Sequence, residues 1–461
     1  MARKSCFTFM NRLTLAIVLI SLLALLIPGS VAVAYDDDIY FPDTVLREAI
    51  RAAIGGGNIT QVKLDGLTSF SYGGSLLPDV TDLSGIGNCT YLTTLGLEEN
   101  QISDISALSG LTSLNSLSLQ NYPWSGNNEI SDISPLSGLT SLTWLHLDYN
   151  LISDISPLSG LTSLTTLGLE GNLIGNISAL SGLTSLESLG LILNQITDIS
   201  PLSGLTGLVQ LELTGNQISD FTPLSSLSVL STLYLGANHI TDISDLSGLA
   251  SLTDLALSIN EITDISPLSG LTNLTDLDLT INQISNISPL SGLTNLTDLG
   301  LSYNQISNIS ALSGLTSLNV LRLIANQISD ISPLVANSGL EGGDEVYLVG
   351  NPLNAESVNT HIPELEGRGV IVWYYSGEGC FIATAAYGTS TAAEIDALRA
   401  FRDEVLLEST VGSHLVEWYY KSSPPLADFI SEHEPLRTLV RELLVEPVAW
   451  LVEATGTLWR D

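Results

Sequence analysis

Three aspartates, Asp254, Asp276 and Asp298, stand 22 residues apart, and Asp278 lies beside the second. If a regular fold stacks them, like charges come within about 5 Å, which costs energy unless a cation or a proton intervenes. Oxygen-only ligands suit Ca2+, so these four are a candidate metal site. Solvated, screened carboxylates on an open face are the other reading. A second constellation gathers aromatics. Trp144, His146 and Asp148 alternate, Tyr149 follows, and the stretch NYPWSG upstream supplies Tyr122 and Trp124. Trp and Tyr dominate binding hot spots, and their rings also stack on sugars, so this set is the candidate ligand-binding surface. The alternative for Tyr122 and Trp124 is packing along an edge of the fold. Third, Cys380 with His414 or His433 has the residue types of a thiol nucleophile and its base. A buried thiol or a sorting determinant accounts for Cys380 as well.

The elements that must position these residues follow from a repeat. Asn150, Asn172, Asn194, Asn216, Asn238, Asn260, Asn282, Asn304 and Asn326 are each 22 residues apart, and Asn128 extends the series backwards. Asn100 lies 28 residues before Asn128, and Asn351 lies 25 after Asn326. Around each Asn runs L-x-x-L-x-L-x-x-N-x-I, as in Leu142, Leu145, Leu147, Asn150 and Ile152. This is the leucine-rich repeat pattern. L-x-L is strand alternation, leucines inward and the residue between them outward. The Asn turns the chain out of the strand and can bond backbone groups left unpaired there, so stacked copies predict an asparagine ladder.

The return leg is I-S-D-I-S-P-L-S-G-L. Ser156 reads as a helix cap with Pro157 at the first position, and Gly160 as an exit where positive φ is cheap. An Asp or Asn sits four residues after each ladder Asn, as in Asp104, Asp154 and Asn176. The exchange of acid for amide points to a turn-capping hydrogen bond rather than a metal. The whole reads as an α/β solenoid: a leucine-rich repeat horseshoe of about twelve 22-residue repeats, parallel sheet concave, short 3-10 segments convex. Twelve strands would span roughly 55–60 Å.

Capping helices are expected at both ends, and a small helical C-terminal domain after them. Residues 35–57 form the N-terminal cap, with a helix whose Leu46, Ala49, Ile50 and Ala53 share one face. Residues 58–345 are the repeats and 346–375 the second cap, with a strand, a helix near 355–366 and a closing strand at 370–375. A hinge at 376–379 leads to the helical tail, 380–461.

Residues 1–34 read as a signal peptide: Arg3, Lys4 and Arg12, an apolar run from Leu13 to Ile27, and cleavage after Ala34. Of three cysteines, Cys6 leaves with it, and Cys89 and Cys380 are expected as free thiols too far apart to bridge. The formal charge is −35, and no Lys or Arg occurs between Lys63 and Arg322. Such a surface cannot grip phosphates, which argues against nucleic acid as a partner of the repeats. Cations, basic proteins and neutral glycans stay open. The apolar side of Leu436–Trp459 leaves room for membrane association of the tail, but its charges argue against a span.

Two resemblances attach to these motifs. The unit N-x-I-x-D-I-x-P-L, the cap F-P-D-x-x-L-R-x-A-I (Phe41 to Ile50) and the ending G-N-P-L (Gly350 to Leu353) resemble the internalin-type bacterial leucine-rich repeat proteins. That implies an extracellular binding module with no fixed ligand. The chain reads as a binder of protein or glycan ligands and not as an enzyme, with no cofactor beyond the candidate Ca2+. No LPxTG-type wall-sorting signal accompanies it. The tail resembles the CFI-box C-terminal domain through G-C-F-I-A-T-A-A-Y-G (Gly379 to Gly388), with L-R-x-F-R-D-E from Leu398 and Y-Y-K-x-S-P-P-L-A-D-F-I from Tyr419. This resemblance implies sorting or surface attachment, with Cys380, Phe381 and Ile382 as the motif. A structural envelope protein, or a thiol enzyme built on Cys380, are the competing functions.

Overall fold

The leucines that alternate along each repeat bury one side of a three-residue strand and leave the residue between them outside. The computed structural model describes residues 39–73, 78–123 and 128–374. The signal segment, Trp124, the hinge, and the tail with Cys380, Phe381, Ile382, His414 and His433 lie outside the described residues. The chain forms two compact units, one up to Leu142 and one from Thr143.

In the first unit, helix α1 (Thr44–Ala53) begins at Asp43. One oxygen of that carboxylate accepts from the N–H groups of Val45 (2.8 Å) and Leu46 (3.0 Å). The other accepts from Thr81 N–H (2.8 Å), Thr81 Oγ1 (3.1 Å) and Asp82 N–H (3.2 Å). Burial works to raise the pKa of Asp43, but these donors outweigh it and hold the carboxyl below its usual value. A single side chain thus caps the helix and ties it to the first repeat. Leu46 and Ile50 are buried as expected; Ala53 is exposed, and Arg51 takes the buried place instead. Its guanidinium donates to Gly57 O and pairs with Glu48. Strands β1 (Ser69–Ser71), β2 (Thr94–Gly96) and β3 (Ser116–Ser118) pair in parallel.

The second unit continues the pattern with β4 (Trp144–His146), β5 (Thr166–Gly168), β6 (Ser188–Gly190), β7 (Gln210–Glu212), β8 (Thr232–Tyr234) and β9 (Asp254–Ala256). Then come β10 (Asp276–Asp278), β11 (Asp298–Gly300), β12 (Val320–Arg322), β13 (Glu345–Tyr347) and β14 (Ile371–Trp373). Each pairs in parallel with the next, mostly at a 22-residue offset, such as Trp144 with Thr166 and Asp276 with Asp298. The inward leucines of these strands are at most 2% exposed, and each fully buried leucine contributes roughly 2 kcal/mol.

The asparagine ladder is present. Asn194 Nδ2 donates to Leu191 O in its own repeat (3.2 Å) and to Leu169 O one repeat back (2.9 Å). Its Oδ1 accepts from Ile174 N–H at 3.0 Å. The same bonds recur at Asn172, Asn216, Asn238, Asn260, Asn282, Asn304 and Asn326.

Several local expectations are corrected. The left-handed residue is the one before each ladder Asn: Tyr149, Leu193, Ala237, Ile259, Ile281, Tyr303 and Ala325 all have φ between 50° and 56°. Gly160 and its equivalents have ordinary φ. Ser156 does not cap the 3-10 turn Ser156–Gly160; it is the first residue, Pro157 the second, and Asp154 Oδ1 accepts its N–H at 2.8 Å. The described residues hold fourteen strands rather than twelve. The two extras belong to the caps: β14 was expected, whereas β1 has no ladder Asn of its own. Its following residue is held by the next repeat, Asn100 Nδ2 donating to Tyr72 O at 2.9 Å. At the far end α2 (Ile362–Gly367) buries Ile362 and Leu365 and packs beside β14.

Candidate functional site

Outward positions lie two, four and six residues before each ladder Asn, and in the second unit they form two regions. In the first, around β4, the rings of Trp144 and His146 stack at 4.1 Å between centroids. His146 Nδ1 meets Asp148 Oδ2 at 2.8 Å. Asp148 Oδ1 accepts from Glu170 N–H at 2.8 Å. Asp148 was expected as a contact residue on the open face; it is 6% exposed and occupied with its neighbours. The reason sits one repeat along: a Cβ at Gly168 would fall 2.6 Å from both His146 Nδ1 and Asp148 Oδ2. Glycine there leaves the room that the acid and the imidazole fill. In the same way the Tyr149 ring lies where a Cβ on Gly171 would stand.

Two residues that the sequence did not single out complete this region. The side chains of Glu170 and Glu212 meet, and each bears on the other's titration. Burial, then the charges of Asp148 and Glu212, push Glu170 up to about 7. Burial also raises Glu212. A legible signal was available: Gly168 and Gly190 occupy outward positions next to acids. Tyr122 belongs to the first unit and is 51% exposed.

The second region is a groove of about 370 Å³ across β8–β12, with Tyr234, Asp254, Asp276, Asp278, Asp298 and Arg322 on its walls. Asp254, Asp276 and Asp298 are register partners on β9, β10 and β11, as the 22-residue spacing requires. Each is held separately. Thr253 Oγ1 donates to Asp254 (2.6 Å), Thr275 Oγ1 to Asp276 (2.8 Å), Thr280 N–H to Asp278 (2.9 Å) and Arg322 to Asp298. Among the described residues no group of three or more His, Cys, Asp or Glu is arranged to hold a metal ion. The four aspartates line one groove without forming a Ca2+ cage.

The aspartate column four after each ladder Asn does cap turns. Asp132, Asp198 and Asp264 accept the N–H two residues on at 2.8 Å, and Asn176 and Asn286 do so at 2.9 and 3.0 Å. These N–H groups, with the serine hydroxyls behind them, lower the pKa of the three acids. Cys89 is a buried free thiol pushed up to about 12 by burial, so it is protonated and inert near neutrality.

A family model described as Leucine Rich repeats (2 copies) matches residues 90–138, 140–182, 184–226, 250–292 and 294–336. An internalin from Listeria monocytogenes is 36% identical, with a TM-score of 0.66 over 72% of this chain and 95% of that one. The chain belongs to the internalin-type leucine-rich repeat proteins. A leucine-rich repeat protein of Leptospira interrogans shares the fold at 24% identity and a TM-score of 0.58, over 64% of this chain and 81% of that one. No curated protein matches. The CFI-box motif lies outside the described residues.

Proposed function

We propose that this internalin-type chain is an exported, cell-associated recognition protein. The strand face of the repeats binds a protein or glycan ligand, and residues 380–461 sort or attach the chain, with Cys380, Phe381 and Ile382 as the motif. Residues 1–34 direct export and are removed by cleavage after Ala34. One observation carries the reading: the inward residues of β4–β12 are leucine in every strand, whereas the outward ones depart from repetition at Trp144, His146, Glu212, Tyr234 and Arg322. A core needs uniformity, and uniformity of the core leaves the exposed face free to specify a ligand. Acidity over the repeats favours basic proteins or neutral glycans over nucleic acid.

The test is a glycan array and a surface-protein pull-down with the full chain, with and without Ca2+, beside a Trp144→Ala/His146→Ala variant. A ligand captured by the wild type and lost by the variant supports the reading. Binding that survives the variant but is abolished by chelation moves the site to Asp254, Asp276, Asp278 and Asp298. No capture at all, with ordered lateral assembly of the chains, overturns it in favour of an envelope component.

A further inference from the structure

The acidic groove contains a stand-in for a ligand. Arg322, at the outward position four before Asn326, lays its guanidinium on Asp298, six before the preceding Asn304. The repeat thus has a geometry that seats a guanidinium between adjacent strands. One repeat back, the same relation joins Gly300 to Asp276. Gly300 supplies no side chain, and a Cβ there would lie 2.6 Å from Asp278 Oδ1. The Asp278 carboxylate therefore leans into the room that glycine leaves, and the place equivalent to that of Arg322, beside Asp276 and Asp278, receives no cation from position 300. Tyr234 presents a ring at the other end of the same groove, suited to a second cationic side chain.

We propose that this notch over Gly300 takes the guanidinium of an arginine carried by a protein partner, with Asp276 and Asp278 as its acceptors. The proposal deepens the recognition reading above and rests on it. A planar, multi-donor guanidinium can satisfy two carboxylates at once, whereas an ammonium acts as a compact point charge. The partner is thus an arginine-bearing segment rather than any basic surface.

Titration calorimetry of the full chain with an acetylated octa-arginine peptide, and with octa-lysine, tests this. Asp276→Asn/Asp278→Asn is expected to weaken octa-arginine by about tenfold or more. Asp198→Asn/Asp220→Asn removes the same charge from turn-capping positions, where Asn176 and Asn286 already serve, and is expected to weaken it by less than about twofold. Octa-arginine should outbind octa-lysine by about fivefold. Gly300→Arg, which fills the notch with a built-in cation, should abolish binding. Unchanged thermal melts of the asparagine variants establish that their fold is intact. Equal weakening by the two double variants, or equal affinity for the two peptides, overturns the proposal and leaves only general attraction to an acidic chain. If octa-arginine fails to bind while Trp144→Ala/His146→Ala still loses a captured partner, the notch falls and the recognition reading stands.

Discussion

The face around β4 and the groove across β8–β12 ride on the same repeat and handle acids in opposite ways. Around β4, Asp148 is buried against His146 and the Glu170 backbone, and Glu170 is pushed toward its protonated form by burial and by the charges of Asp148 and Glu212. Across β9–β11, Asp254 and Asp276 stand in register, each accepting from the hydroxyl of the threonine just before its strand. The first region satisfies its polar groups internally and is ordered as built. The second keeps carboxylates half-open, with Arg322 as the partner of one of them. Like charges that must coexist either take up a proton or stay near water, and burial decides which.

The largest test asks whether the scaffold beneath both regions is the same. Asn194→Ala and Asn282→Ala each orphan a buried isoleucine N–H and leucine carbonyls, so each should cost about 3 kcal/mol or more in urea melts. Clearly unequal losses would break the comparison, since the difference would then lie in the frame and not in the outward residues.

Glycine substitution sharpens it. Gly168→Ala must push into Asp148 and His146, which are already committed to each other, and should destabilise by about 2 kcal/mol. Gly300→Ala meets mainly the end of the Asp278 side chain, which can swing toward solvent, and should cost under about 1 kcal/mol. A reversal of that order would show that the groove is the more rigid region.

The acids differ in pH response. Glu170 has a folded pKa raised from 4.5 to about 7, so the folded state holds the extra proton between these values. Its contribution is fully present below about 4.5 and is lost as pH rises through about 7. Allowing for its half-exposure, the loss should be on the order of 1 kcal/mol. The turn-capping Asp132, Asp198 and Asp264 are shifted down, so their support is present above the usual carboxylate value of 3.8 and fades in stronger acid. Stability measured against pH should therefore slope downward from 4.5 to 7, and Glu170→Gln should flatten that slope without moving the acid limb. A slope unchanged by the variant would place the titration elsewhere. The smallest effect belongs to Arg322→Ala, which removes a part-exposed ion pair and should cost under about 0.5 kcal/mol, less still in high salt.

Much of the frame was legible without coordinates. A period of 22, L-x-L before an Asn and Ile after it are enough to place β2–β13, the inward leucines and the ladder, because each depends on the pattern within one repeat and its copy. The F-P-D start of the N-terminal cap was legible for the same local reason. The left-handed residue before each Asn was not, because Tyr149, Leu193, Ala237 and Ile281 share no chemistry. Their conformation is imposed by the bonds of the Asn that follows and of the strand stacked beside it.

The outward residues show the same division. Spacing alone determined that Asp254, Asp276 and Asp298 would share a column and that Trp144 would lie near His146. Only the tertiary structure decided that Asp148 is buried, that Glu170 finds Glu212, and that Arg322 takes Asp298 while Gly300 leaves Asp276 and Asp278 without such a partner. Those outcomes turn on which side chain, or none, stands one or two strands away. A one-dimensional pattern fixes the columns; the contacts between columns depend on side-chain reach and burial, which exist only once the repeats are stacked.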